Sequence, residues 1–323
     1  MPPGTFRPAD ILPGKAWTLA LVLVVLANLL VLGGQRAGYL SEGVPRALIR
    51  EFDRTTREPA KVWLIGNSTL ADSTDLDTLE KETGWSIHEL TLGSAVFGAQ
   101  TLLAQHCLEQ TKEKPQAIYF FVTKDDFNLN GSRARVSREY FKAIERPTWK
   151  DLLAARLPVH SCRASIRLEA KGVLFRLKKR LTGSREQAQA EPALDTPLRD
   201  LSNDYRTAYL ADLGENYELE ARGFEQLRQL HRAYPDVCLL VVLPPITGAP
   251  VRWQKEFCPR LDWPAVKTRL ELECDQAGVQ LLDFSELYPS DTTLFKDVYH
   301  LNARGRQQFT QVFGQELRQR LAP

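Results

Sequence analysis

The sequence predicts an α/β fold: a mostly parallel sheet covered by helices on both faces. Two observations carry this. From residue 59 onward, short apolar runs alternate with helix-length segments, the rhythm of βαβ units. The runs are apolar without interruption, as in Ala117-Ile118-Tyr119-Phe120-Phe121-Val122, which suits strands buried on both faces. A third observation sets the N-terminus apart. From Trp17 to Gly34 the only strongly polar residue is Asn28, so this stretch belongs to no half-solvated fold.

The elements follow in order. Residues 1–15 read as a short N-terminal tail and 16–35 as a transmembrane anchor, since about 20 apolar residues span a bilayer as a helix. The competing reading is a cleaved signal peptide. Signal peptides have apolar cores of about 7–15 residues. The run here is longer, no Ala-x-Ala site ends it, and no cysteine follows it for lipid attachment. Arg7 and Lys15 precede the segment, and Arg36, Arg46, Arg50 and Arg54 follow it. By the positive-inside rule alone, that balance places the large domain in the cytoplasm, although long domains translocate regardless of flanking charge.

Residues 36–58 read as a charged juxtamembrane linker, helical around 44–55. Residues 61–66 form the first strand, ending just before Ser68. A helix over 75–83 is stopped by Gly84. The second strand covers 85–92, and a glycine-bearing turn covers 93–98. A helix over 100–110 and a strand over 117–122 follow. The rhythm then breaks. Residues 128–215 are charged and irregular and read as a helical and loop insertion. The insertion holds a basic run at 171–180 whose apolar interleaving suits contact with anionic lipid headgroups. Alternation resumes with a helix over 219–234 and a strand over 237–243 that stops at Pro244-Pro245. A helix over 263–277 follows, with Gly278 placed as its C-cap. The last strand covers 279–284. The closing helix covers 303–321, with Asn302 as its N-cap. Residues 59–323 thus make one domain.

Bulk properties exclude some classes. A formal net charge of +2 gives no footprint for nucleic acid. The five cysteines (Cys107, Cys162, Cys238, Cys258 and Cys274) are scattered, with no C-x-x-C pair. That argues against a zinc site and a disulfide scaffold, and leaves one bridge within 238–274 open.

Two short motifs carry chemistry. The first is Gly66-Asn67-Ser68, at the end of a strand. In open parallel sheets, sites form beyond the carboxyl ends of the strands. A serine there becomes a nucleophile when a base takes its proton; otherwise it is a turn or helix-capping residue. The second is Asp297-Val298-Tyr299-His300. Positions i and i+3 share one side of a turn. Asp297 can then orient the imidazole of His300 toward a serine; otherwise the pair merely caps the last helix. Ser68, Asp297 and His300 together read as nucleophile, orienting acid and base. His88, His106, His160 and His231 lack such a pattern and read as structural or surface residues.

At these residues the chain resembles the SGNH/GDSL hydrolase superfamily. Gly66-Asn67-Ser68-Thr69-Leu70 is similar to the family's first block, with asparagine in place of the usual aspartate. Asp297-x-x-His300-Leu301-Asn302-x-x-Gly305 is similar to its last block. Pro244-Pro245 and Leu282-Asp283 also fit, and the resemblance covers about 59–126 and 216–323. It implies a three-layer α/β/α sandwich with a flavodoxin-like parallel sheet, and needs no cofactor or metal. It implies an oxyanion hole built from the Ser68 N–H, a glycine N–H and an asparagine amide. The glycine is Gly98 or Gly93, with Gly98 preferred. At the asparagine's place stands Asp125, an acceptor that cannot donate when ionised, so Asn128 is the substitute candidate.

A membrane-tethered domain with a large insertion resembles the family's envelope-polymer subset: polysaccharide O-acetylation proteins and the teichoic-acid D-alanylation protein. That resemblance implies an extracytoplasmic esterase or O-acyltransferase. Its partners would be an acyl donor, an envelope glycan, membrane lipid and a multi-pass membrane-bound O-acyltransferase. The alternative it leaves open is an impaired binding or scaffold subunit of such a complex.

Overall fold

The computed structural model describes residues 14–36, 52, 54–129, 141, 144, 217–247 and 262–321. The expected insertion, its basic run, His160 and most of the juxtamembrane linker lie outside the described residues. The chain divides into two compact units, one holding α1 and the other holding the sheet with the helices around it.

Helix α1 spans Gly14–Arg36, within two residues of the expected anchor. Its described side chains are Thr18 and residues 21–32. Among the described residues, no helix is long and apolar enough to cross a membrane.

The second unit is built on five strands: β1 (Val62–Gly66), β2 (Ile87–Thr91), β3 (Ala117–Phe121), β4 (Cys238–Leu243) and β5 (Gln280–Asp283). All neighbours pair parallel, in the order β2-β1-β3-β4-β5. This is the flavodoxin-like order, with its switch point between β1 and β3. The described helices that pack around the sheet include α2 (Ser68–Ser73), α3 (Leu76–Thr83), α4 (Phe97–Gln110), α5 (Ala221–Ala233), α6 (Trp263–Ala277) and α7 (Ala303–Leu321).

Side chains of a strand alternate between faces, and the central strands bury both. On one face Val62, Leu64, Tyr119, Phe121, Leu240 and Val242 join Leu70 of α2, Leu79 of α3, and Phe309, Phe313 and Leu317 of α7. The α7 trio recurs every four residues, one stripe of a helix. On the other face Phe97 of α4 lies 5.8 Å from Phe120 of β3 and 5.2 Å from Phe224 of α5, ring centre to centre. Helix α5 packs between α4 and α6. The result is three layers, helix, sheet and helix.

The boundaries differ from the sequence reading where caps decide them. Asp75 stands outside α3 as its N-cap, accepting from the Thr78 N–H at 2.9 Å. Gly84 and Gly278 close α3 and α6 in the left-handed conformation, which glycine adopts without a Cβ penalty. Helix α4 starts at Phe97, three residues earlier than expected, so Gly98 lies in a helix and not in a turn. Its N-cap, Val96, offers no side-chain cap. Cys107, Cys238 and Cys274 are each free, so no bridge joins the two ends of the 238–274 region.

Candidate active site

The serine turn is shaped by close packing. Helix α2 begins two residues after β1 ends, and folds straight back over it. A Cβ on Gly66 would lie 2.7 Å from the Leu70 Cβ and 2.9 Å from the Phe121 Cβ, closer than real Cβ contacts allow. Glycine is therefore what lets the chain turn here. Asn67 caps α2: its Oδ1 accepts from the Thr69 N–H at 2.9 Å and the Thr69 hydroxyl at 2.7 Å. Ser68 is the first residue of α2, so its N–H has no intrahelical partner.

The other end of the Asn67 amide explains why this residue is not an aspartate. Its Nδ2 donates to both carboxylate oxygens of Asp126, at 2.8 Å each. Asp126 also accepts from the Thr123 N–H at 2.7 Å. Both Asn67 and Asp126 are buried. A second carboxylate at position 67 would face the first without a donor between them. This bridge joins the exits of β1 and β3, across the switch point.

The base turn is held as firmly. After β5 a short 3₁₀ turn, Thr292–Leu294, leads into the loop. Phe295 and Leu301 form an antiparallel bridge and sink into the core. Between them the Lys296 N–H donates to the His300 carbonyl at 2.9 Å. Asp297 Oδ1 accepts from the N–H groups of Tyr299 and His300, at 2.9 Å each. The Thr247 N–H, just past Pro244-Pro245, donates to the Val298 carbonyl at 3.2 Å. Asn302 caps α7, accepting from the Gly305 N–H at 3.0 Å, and its amide donates to the Thr293 carbonyl at 2.7 Å. A Cβ on Gly305 would collide with the Leu294 carbonyl, so α7 can start hard against the 3₁₀ turn.

These two turns bring the expected trio together. His300 Nε2 lies 2.9 Å from Ser68 Oγ. His300 Nδ1 lies 2.8 and 2.7 Å from the two oxygens of Asp297. An ionised Asp297 accepts only, so Nδ1 carries the proton and Nε2 is left to accept from the serine. Burial alone would raise the Asp297 carboxyl. The bonds from the His300 ring and from the Tyr299 and His300 N–H groups outweigh it and hold the group below the usual carboxylate range.

The expected oxyanion donors are placed differently. The Gly98 N–H donates to Glu220 Oε2 at 2.8 Å, and Gly223 of α5 packs against it. This donor is thus covered and taken by a buried carboxylate. Burial pushes Glu220 up and Asp126 adds to that, while the Gly98 N–H and Arg222 pull it down; the net direction is up. Asn128 is buried, and its Oδ1 accepts from the Glu218 N–H at 3.3 Å. That bond ties Asn128 to the 217–220 segment through its amide oxygen. Gly93 lies on the exposed turn after β2. The Leu92 N–H donates to the Gly66 carbonyl at 2.8 Å, which sets that turn alongside the serine turn. Asp125 is buried, and neither of its carboxylate oxygens meets a donor among the described residues.

Two charged residues that sequence reasoning missed stand beside the trio. Asp72 Oδ2 lies 3.9 Å from His300 Nε2, and Asp72 Oδ1 holds the Lys296 ammonium at 2.8 Å. Only their spacings hinted at this: Asp72 follows Ser68 by four residues on one helix, and Lys296 directly precedes Asp297.

The other described histidines lie away from this trio. His88 is buried, 4.0 Å from Glu58; His106 lies 4.0 Å from Glu109; the His231 ring sits over Gly278. Fold and site together describe a doubly wound α/β domain with a Ser-His-Asp constellation at its switch point. No protein-family model matches the chain, and no curated protein matches it.

Proposed function

We propose that this protein is a membrane-anchored, serine-dependent acyl-transfer enzyme, an esterase or O-acyltransferase acting on a cell-envelope glycan or similar polymer. The observation that carries the reading is the continuous hydrogen-bonded line from Ser68 Oγ through His300 to Asp297. The resemblance to the SGNH/GDSL superfamily supports it, since both motifs take part in that line.

The chemistry follows from the geometry. Ser68 Oγ attacks an ester or thioester carbonyl while His300 Nε2 takes its proton. Asp297 holds the imidazole and stabilises its charged form. The tetrahedral oxyanion takes the N–H of Ser68, with Gly93, on the turn tied to the serine turn by the Leu92–Gly66 hydrogen bond, the remaining glycine candidate. Collapse expels the donor's alcohol or thiol, which receives the proton from His300. A sugar hydroxyl or water then gives its proton to Nε2 and attacks the acyl-Ser68 carbonyl; collapse expels Ser68 Oγ, which takes the proton back from His300. The cycle uses the chain's own side chains and backbone N–H groups.

Helix α1 supplies the membrane attachment in this reading through its run of exposed apolar residues, although among the described residues no helix is long and apolar enough to cross a bilayer. Leu21, Val22, Leu23, Val24, Val25, Leu26, Leu29 and Leu30 are all exposed. The Asn28 amide donates back to the Val24 carbonyl at 2.8 Å, which lessens the cost of a polar group in lipid. The catalytic domain then faces the periplasm or cell exterior, with a multi-pass O-acyltransferase as the partner that delivers acyl groups.

A fluorophosphonate probe should label the full-length chain, and Ser68→Ala should abolish labelling. Absence of labelling in folded wild-type protein would sink the reading. The second reading, a scaffold subunit with an impaired site, is favoured by two observations: Glu220 occupies the Gly98 N–H, and a carboxylate stands at position 125. Polymer modification that survives both Ser68→Ala and His300→Ala in cells would select it.

A further inference from the structure

We infer that Asp72 and Lys296 form a charge pair that positions the His300 base, an inference that rests on the acyl-transfer reading above. Asp72 sits one turn beyond Ser68 on α2, so both side chains project from the same side of the helix. Its Oδ2 lies 3.9 Å from His300 Nε2, the nitrogen that bonds Ser68 Oγ at 2.9 Å. Its Oδ1 holds Lys296 Nζ at 2.8 Å. The Lys296 backbone closes the base turn through its bond to the His300 carbonyl. One ion pair therefore ties the nucleophile's helix to the base's loop.

The pair also sets the field at the imidazole. Among the described residues, the ion pairs of the His300 ring are with Asp297 from its own loop and Asp72 from α2, and Lys296 pairs with Asp72. When Nε2 takes the serine proton, the ring becomes positive with Asp72 beside it. An opposite charge within about 4–6 Å favours the charged form. A carboxylate in full hydrogen-bond contact with Nε2 would instead compete with Ser68 for that nitrogen. Lys296 draws Asp72 the other way and keeps it at the outer distance. Asp72 and Lys296 are positioning residues: they act through His300 and touch no reacting atom.

The test is the pH dependence of fluorophosphonate labelling by the full-length chain in detergent. Labelling needs the neutral imidazole, so its rate rises with pH through a midpoint. Asp72→Asn removes a negative charge near the ring and should move that midpoint down. Lys296→Met removes a positive charge and should move it up. Both shifts should shrink at high salt, because the pair is partly exposed. Opposite shifts support the inference. Midpoints that stay put, or that move the same way, overturn it, even if both rates fall. Should Asp72→Asn not fold, Lys296→Met alone decides, and a midpoint that is unmoved or lowered overturns the inference. Wild-type protein that is unlabelled at every pH would instead remove the acyl-transfer reading itself.

Discussion

Asn67 shows how one side chain adapts a motif to its surroundings. The position faces a buried carboxylate, Asp126, and an amide can donate to it where an acid could not. Asn67→Asp should therefore destabilise the chain by about 3 kcal/mol at neutral pH. Adding Asp126→Asn should restore most of that loss by exchanging donor and acceptor, and denaturant unfolding of the two singles and the double measures the coupling. Asp297 is the second residue where charge and geometry meet. Asp297→Asn should slow probe labelling by about 10⁴-fold, through the wrong imidazole tautomer. It should also change the pH dependence of stability. The folded carboxyl is held below its unfolded value, so its contribution is present above about pH 4 and is lost as pH falls through the lower, folded value. The stability gap between wild type and Asp297→Asn should thus close in acid, as read by melts across that range.

At the scale of elements, the turn from β1 into α2 is the critical joint. Gly66→Ala would push a Cβ onto Leu70 and Phe121, two buried residues that cannot move aside. Overpacking of this kind costs about 1–3 kcal/mol, and the displaced α2 should carry Ser68 out of register with His300. The expected outcome is a lowered melting temperature together with a disproportionate loss of labelling. This joint also shows what the sequence made legible. The strands stood out because β1 and β3 are apolar along their whole length. Helix α2 did not stand out, because six residues are too few to show a period. The early start of α4 was hidden because Val96 leaves no capping signature. The site was legible where its partners are close in sequence, as with Asp297 and His300. It was not legible where they are far apart. Glu220 reaches Gly98 across 122 positions, and no spacing rule connects them.

At the scale of the whole molecule, the order β2-β1-β3-β4-β5 determines where the site lies. The strand order reverses between β1 and β3, and the Asn67–Asp126 bridge joins their exits. The exits of β4 and β5 add the loops that carry the base. The same scale holds the membrane proposal. The full chain should stay with membranes through alkaline carbonate extraction, and a chain lacking residues 1–36 should leave them. Release of the full chain would remove the anchor while leaving the acyl-transfer chemistry untouched.

Ser68 and His300, the proposed nucleophile and base, lie 232 residues apart, one after the first strand of the sheet and the other before its last helix. Closing so long a loop has an entropic cost that only the completed sheet can offset. A nascent or C-terminally clipped chain therefore carries an ordinary serine hydroxyl at position 68. On the acyl-transfer proposal, reactivity appears only once the final helix has docked, which makes labelling of Ser68 a readout of finished folding.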